Sequence, residues 1–437
     1  MREDMFGNPV SSSSDHTLAV INRFMESFIG FGTDFLDIFE ASDAEPASPI
    51  AAAYACLLGV FFENSEGRRI AAKYYARMMD AQKGATAREQ SFVAIVRDLH
   101  DGELKRLMAT LRRHVESFPR DLFAAKLAQN VFFNIGDDAT LLWIADSVIG
   151  EHRDVAYAYG MRAFAREQSS LLDLAEEDGR RATEMQRKEP WAHHAVAHVM
   201  LTTGRHEEGI RWMRDLASEW EDRNSFMYTH NWWHQALFHL ELEDFETPLM
   251  LYDTRVWGVE KGYSLDQVNA ISLLWRLEQL GVDVGDRWLD IGAHVAAREL
   301  YNDQPFYDMH YGYALARAGE TAALERLMAG LERMAREAPD VVRGAWADVA
   351  LPATRGFIAI AEGDHRAALR HLDGARPRYQ EIGGSHAQRD LFELAWLTSL
   401  IEAGEQERAR PVLEARAKFR HNVPMDARLL ARAGVRR

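Results

Sequence analysis

Apolar residues recur along this chain at the three- and four-residue spacing of amphipathic helices, and the alternation that marks a strand is almost absent. Runs rich in Ala, Leu, Glu and Arg are separated by a short polar punctuation. It reads NIGDDATL at Gly136, EQSSLLDLA at Ser170, TTGRHEEG at Gly204 and ELEDFETP at Glu243. It continues as QLGVDVGD at Gly281, RAGETAAL at Gly319, AEGDHRAAL at Gly363 and EAGEQERA at Gly404. Successive anchors lie 34, 34, 39, 38, 38, 44 and 41 residues apart.

One tight turn between two helices at that period predicts an all-α, TPR-like α-solenoid, a right-handed superhelix of antiparallel helix pairs. Several units keep a small residue five positions past the anchor: Ala175, Gly209, Ala368 and Ala409. There the second helix of a pair is expected to close on the first. Upstream, SPIAAAYACLLGVFFENSEGRRIAAKYYARMM reads as a further pair, and DHTLAVINRFMESFIGFGTDFLDIFEA as a helix or pair leading into it. The serine run 11–14 reads as a capping loop. With no Pro/Gly/Ser linker, the expectation is one continuous array over 1–437. It comprises an N-terminal helical arm (1–48), N-terminal helix pairs (49–118) and degenerate repeats (119–437).

Composition narrows the chemistry. At 437 residues and 47% apolar content the chain can bury a large core, and a net charge of −16 argues against a nucleic-acid partner. The single cysteine, Cys56, lies in an apolar run with no cationic neighbour, which predicts a buried inert thiol and excludes disulfides and cysteine-based zinc sites. No secretory signal and no membrane-length apolar stretch is evident, so a cytoplasmic location with no membrane partner is expected. A P-loop, a dinucleotide fingerprint and a nucleophile elbow are absent from the sequence.

The candidate chemistry is in the histidines. Counting back from each anchor at roughly 100° per residue sorts the first helix of a repeat into two arcs. Met200, Ala197, Val196 and His193, like Leu400, Leu397, Trp396 and Glu393, fall on a mostly apolar arc that packs on the partner helix. His194, His198, His230, His234 and His310 fall on a second arc with Trp233, Trp275 and Tyr313. On such repeats that arc lines the concave binding face. His193, His239 and Trp232 project with the packing arc and are expected in the core. The pairs His194/His198 and His230/His234 are 36 residues apart, about one repeat, so four imidazoles can surround one point. His310, two repeats on, joins only if the superhelix is tightly wound.

Imidazoles in such a cluster suit a divalent transition metal: zinc, iron, copper or nickel. HNWWH lacks the glutamate of the His-Glu-x-x-His helix, so metalloprotease chemistry is not supported. Asp253 and Asp308 are the nearest carboxylates for a facial triad, and Asp308 projects toward the core. Without a metal, Trp233, Trp275 and Tyr313 beside neutral imidazoles make a small-ligand pocket, and a histidine can serve as general base. A polar stack holding the repeats together is the plain structural alternative. A second segment, EIGGSHAQRD, reads as a capping box of Ser385 with Gln388; an anion held at that helix start by Ser385 and Arg389 is the functional alternative.

WAHHAVAHVMLTTGRHEEG, HNWWHQALFHLELEDFETPLMLYD, SLLWRLEQLGVDVGDRW and IGGSHAQRD resemble the tetratricopeptide repeat protein 38 family, which includes StaR-like bacterial members. The resemblance runs from about Asp4 to the C-terminus. It takes in His194, His198, His230, Trp233, His234, Asp253, Asp266, Arg287, Trp288, His310 and Arg389. It implies a helical TPR-like fold in a family without a settled activity. Ser170 and Glu243 stand where turn glycines are expected, and Pro248 replaces a small alanine. The reading is a small-ligand-binding protein with a His/Trp-lined pocket, metal-dependent and enzymatic in one version, placed in specialised metabolism. A scaffold gripping a peptide or protein in the same groove is the alternative.

Overall fold

The computed structural model describes residues 2–299, 301–420 and 423–434. The chain is an all-α, TPR-like array of consecutive helix pairs; the strands described are the two-residue segments Arg2–Glu3 and Pro9–Val10, paired antiparallel. The helix Ala156–Gln168 packs on Leu172–Met185 across the Ser170 turn, and Leu351–Ala361 on His365–Ala375 across the Gly363 turn.

All eight turn anchors adopt the left-handed backbone conformation, with φ between 60° and 82°. Such a residue ends a helix by turning its N–H back onto the last carbonyls, which glycine does without steric cost. Ser170 (φ 60°) and Glu243 (φ 61°) hold the same geometry despite their side chains. A further turn obeys the rule. Gly102 (φ 71°), 34 residues before Gly136, separates Ala87–His100 from Leu104–Ser117.

Ala175, Ala368 and Ala409 are fully buried. Gly209 also faces the next repeat. A Cβ there would lie 2.2 Å from the Phe238 ring, so the space admits the first helix of the next repeat. The serine run 11–14 caps as expected, with Ser14 accepting from the Thr17 N–H at the start of Asp15–Gly30.

The chain divides into two compact units, residues 1–133, 137–192 and 222–224 in one, and 134–136, 193–221 and 225–437 in the other. In the first, Arg88 donates to Asp121 (2.9 Å) and lies 3.3 Å from Asp4, all three buried. Lys126 sits over the Trp191 ring (4.1 Å) and the Phe31 ring (4.9 Å). Cys56 is buried there, its thiol pushed up to about 12 chiefly by desolvation, so it stays protonated and inert. The second unit has one contiguous apolar core that includes Trp220, Trp233, Trp275 and Trp288. Among the described residues no helix is long and apolar enough to cross a membrane.

Candidate metal centre and adjoining cavity

The helix Pro190–Thr202 carries His194 and His198, and the helix Ser225–Glu241 carries His230 and His234. The four-residue spacing puts each pair on one helix face, a turn apart. Phe238, one turn beyond His234, enters the space left by Gly209, so the missing side chain lets the second helix settle.

The four rings meet. Their centroids lie 4.4 Å apart for His194/His198, 4.6 Å for His198/His234, and 4.8 Å for His194/His230, His194/His234 and His230/His234. One ring nitrogen from each lies within 4.8 Å of the others, and no side chain of the four is more than 2% exposed. Nε2 of His194 is 2.9 Å from Nε2 of His198 and 3.0 Å from Nε2 of His230. A neutral ring nitrogen is either a single donor or a single acceptor, so at most one of these contacts is a hydrogen bond. Neither nitrogen of His234 has a hydrogen-bond partner, although the ring is fully buried. Ligand nitrogens around tetrahedral zinc stand about 3.3 Å apart, given bonds of about 2.0–2.1 Å; the two shortest separations here, 2.9 and 3.0 Å, lie just below that, and the whole set lies within 4.8 Å.

Burial also sets the charge state. Desolvation drives His230 down to about 3, and nearby His198 adds to the fall. His234 is held well below the ordinary histidine range by desolvation, then by His198, His230 and Arg276. Neutral imidazole is the form that binds metal.

A relay behind His230 fixes its tautomer. Its Nδ1–H donates to Asn269 Oδ1 (2.8 Å), which leaves the Nε2 lone pair facing His194. Asn269 Nδ2 donates to Thr229 Oγ1 (3.2 Å), and the Thr229 hydroxyl donates to Asp266 Oδ1 (3.2 Å). This chain orients the amide, and its acidic end, Asp266, is pushed up to about 7 by burial. Phe226 and Trp233 both stack on the His230 ring, at 5.0 and 5.2 Å.

Arg276, buried on the helix Ser264–Gln279, holds its guanidinium over Trp233 at 5.4 Å. It also lines a cavity of about 330 Å³ with Leu201, Leu237, Leu240, Met425 and Leu429. Leu201 and Leu237 each lie three residues beyond a cluster histidine, so the cavity opens about one helical turn from the imidazoles.

The remaining expected site residues are placed as follows. His310 does not join the four: its Nδ1–H donates to the Phe306 carbonyl (2.8 Å), and its ring packs on Phe306 and Phe392. Two repeats of separation put it in another layer. Trp275 and Tyr313 stack on each other at 3.9 Å, and the Tyr313 hydroxyl donates to Glu278 (2.6 Å). Both are buried, so this part of the expected lining is packed rather than open. Asp253 turns away to a two-point pair with Arg287, whereas Asp308 is buried as expected and accepts from Asn302 (2.6 Å).

His193 is a core histidine that accepts from Trp220 Nε1 (3.2 Å). His239 is only half-buried and bonds Asp244 (2.9 Å), so it sits at the edge of the packing and not within it. Trp232 is also half-buried, edge-on to Trp220 at 5.3 Å. The Ser385/Gln388 capping box forms, and Arg389 turns back to the carbonyls of Gly383 and Gly384. Asp390 pairs with Arg416.

Arg276 and Asn269 were not among the expected site residues. Their signal was present, since polar side chains in VNAISLLWRL interrupt an otherwise apolar helix.

No protein-family model matches the chain. Among solved structures it is similar to the Cut9–Hcn1 hetero-tetramer of APC/C, at 13% identity and a TM-score of 0.47, covering 94% of this chain and 69% of that one. It is also similar to human IFIT1, solved as a dimer with m7Gppp-AAAA, at 13% identity and a TM-score of 0.43, covering 97% and 95%. A third similar structure is the TPR domain of P58(IPK), at 13% identity and a TM-score of 0.23, covering 80% and 98%. At this distance the likeness carries nothing about activity or partners.

Proposed function

We propose that this chain holds a divalent transition-metal ion between two successive repeats through His194, His198, His230 and His234, beside a cavity that takes a small organic molecule. The observation that carries the reading is His234: a fully buried imidazole with both nitrogens unpartnered, in a group of four whose ligand atoms lie within 4.8 Å. Buried polar groups ordinarily find partners, and an ion supplies one here. The Asn269–Thr229–Asp266 relay is the kind of outer support that orients metal-binding imidazoles. Zinc, iron, copper and nickel all accept such a set, and His310 stands outside it.

The volume of about 330 Å³ favours a small molecule over an extended peptide. Trp233 belongs to the site through its stacking on His230; Trp275 and Tyr313 support the neighbouring wall. Four imidazoles close a tetrahedral shell, and release of one would open the position that metal catalysis uses. The motifs shared with the tetratricopeptide repeat protein 38 family lead us to place the chain in that group.

Elemental analysis of full-length protein, purified without a polyhistidine tag and dialysed against zinc, tests the metal. About one ion per chain is expected, and a His230→Ala/His234→Ala variant that keeps its helical circular dichroism loses it. A wild-type chain with less than about 0.1 ion after dialysis overturns the proposal.

A further inference from the structure

The cavity beside the histidines has an uneven distribution of charge. Leu201, Leu237, Leu240, Met425 and Leu429 give it an apolar side, and three arginines reach it: Arg276, Arg416 and Arg420. Two of them are matched. Arg416 is bonded to Asp390 and to Asp426 (2.8 Å), and Arg420 is bonded to Glu241 and lies 3.5 Å from Asp426.

Arg276 has no carboxylate at ion-pair distance. Its Nη1 donates to Ser272 and its Nη2 to the Ala387 carbonyl (2.7 Å), all neutral acceptors. The carboxylates of Asp390 and Glu241 act on it only from a distance. A buried guanidinium without a direct anionic partner is costly, and its planar fork matches a carboxylate in two-point geometry. Counted as a whole, the three arginines face three carboxylates, and each of those carboxylates bonds Arg416 or Arg420 and none bonds Arg276.

We propose that the cavity binds a small monoanionic organic acid, its carboxylate on Arg276 and its apolar body against Leu201, Leu237, Leu240 and Leu429. This rests on the ligand-pocket half of the proposed function and is independent of which metal is held. The volume, about 330 Å³, suits a compact molecule at the small end of ligand pockets. Arg276 also lies over Trp233, which stacks on the ligand His230, so acid and metal sites share one aromatic wall.

The test is titration calorimetry of the full chain with 3-phenylpropionate and, as an uncharged control, 3-phenylpropionamide. The acid is expected to bind at least about tenfold more tightly than the amide. Arg276→Gln should lose that margin while still binding the amide, and Leu237→Trp, which fills the cavity, should lose both. Zinc content and circular dichroism on each sample separate a lost ligand site from a lost fold or a lost ion. Equal affinity for acid and amide, or an unchanged acid affinity in Arg276→Gln, overturns the anion pairing and leaves the pocket standing. Failure of both probes to bind wild type, with zinc content intact, overturns the pocket as well and leaves the metal reading standing.

Discussion

The Nδ1–H of His230 donates to Asn269 Oδ1 over 2.8 Å, joining a ring in one repeat to an amide 39 residues later. That contact decides which ring nitrogen faces the other three imidazoles. Asn269→Leu removes the acceptor while preserving bulk, and zinc affinity should fall by about 10–100-fold, measured by chelator competition. Thr229→Val, which breaks the next link, should weaken binding less. An affinity unchanged in both variants would show that the relay does not support the ion.

His310 gives a pH signature apart from the four. Burial drives it from 6.5 to about 3, so below pH 6.5 the unfolded chain takes up a proton that the fold refuses. Its contribution therefore falls as pH drops from 6.5 toward 3. His310→Phe abolishes this linkage. Relative to that variant, wild type should lose up to about 1.4 kcal/mol per pH unit across that window, read from denaturant midpoints at pH 7 and pH 5. A constant difference between the two proteins would refute the assignment.

Glu243 and Ser170 occupy left-handed turns that seven sister repeats give to glycine. Glu243→Gly and Ser170→Gly should each raise stability by about 1 kcal/mol by relieving backbone strain. The half-exposed Glu243–Arg428 contact, 3.4 Å, offsets little of this. Thermal midpoints that drop in both variants would contradict the strain argument.

Gly209→Ala should act in the opposite direction. The added methyl meets the Phe238 ring at 2.2 Å, and overpacking of this kind costs about 1–3 kcal/mol. Because Phe238 and His234 share a helix, zinc affinity should fall along with the melting temperature. A variant with wild-type zinc affinity would show that the helix shift does not reach the imidazoles.

The turns were readable because each demands one backbone conformation, which glycine records in the sequence. Gly102 carried the same mark in LHDGEL and completes the series at the 34-residue spacing. The meeting of His194, His198, His230 and His234 was also readable, because two pairs at helical spacing one repeat apart leave little freedom. His310 did not follow them, since its place depends on winding accumulated over two repeats. Nor was the cavity legible. It closes only when Arg420, 179 residues from Glu241 in sequence, pairs with it and brings Met425 and Leu429 to the wall. Trp275 and Tyr313, expected beside the imidazoles, turn to each other, because two flat rings bury more area stacked than facing imidazoles.

In a repeat array stability passes from neighbour to neighbour, and unfolding can begin at an end and advance one unit at a time. The two histidine pairs belong to adjacent repeats, so the ion proposed for them would act as a rivet in that series. In the metal-loaded chain, fraying that reaches the helix Ser225–Glu241 would have to break metal–nitrogen bonds before it spreads to its neighbour. Amide exchange in the two histidine helices would then slow together on metal loading, while the terminal repeat after Gly404 would exchange as before.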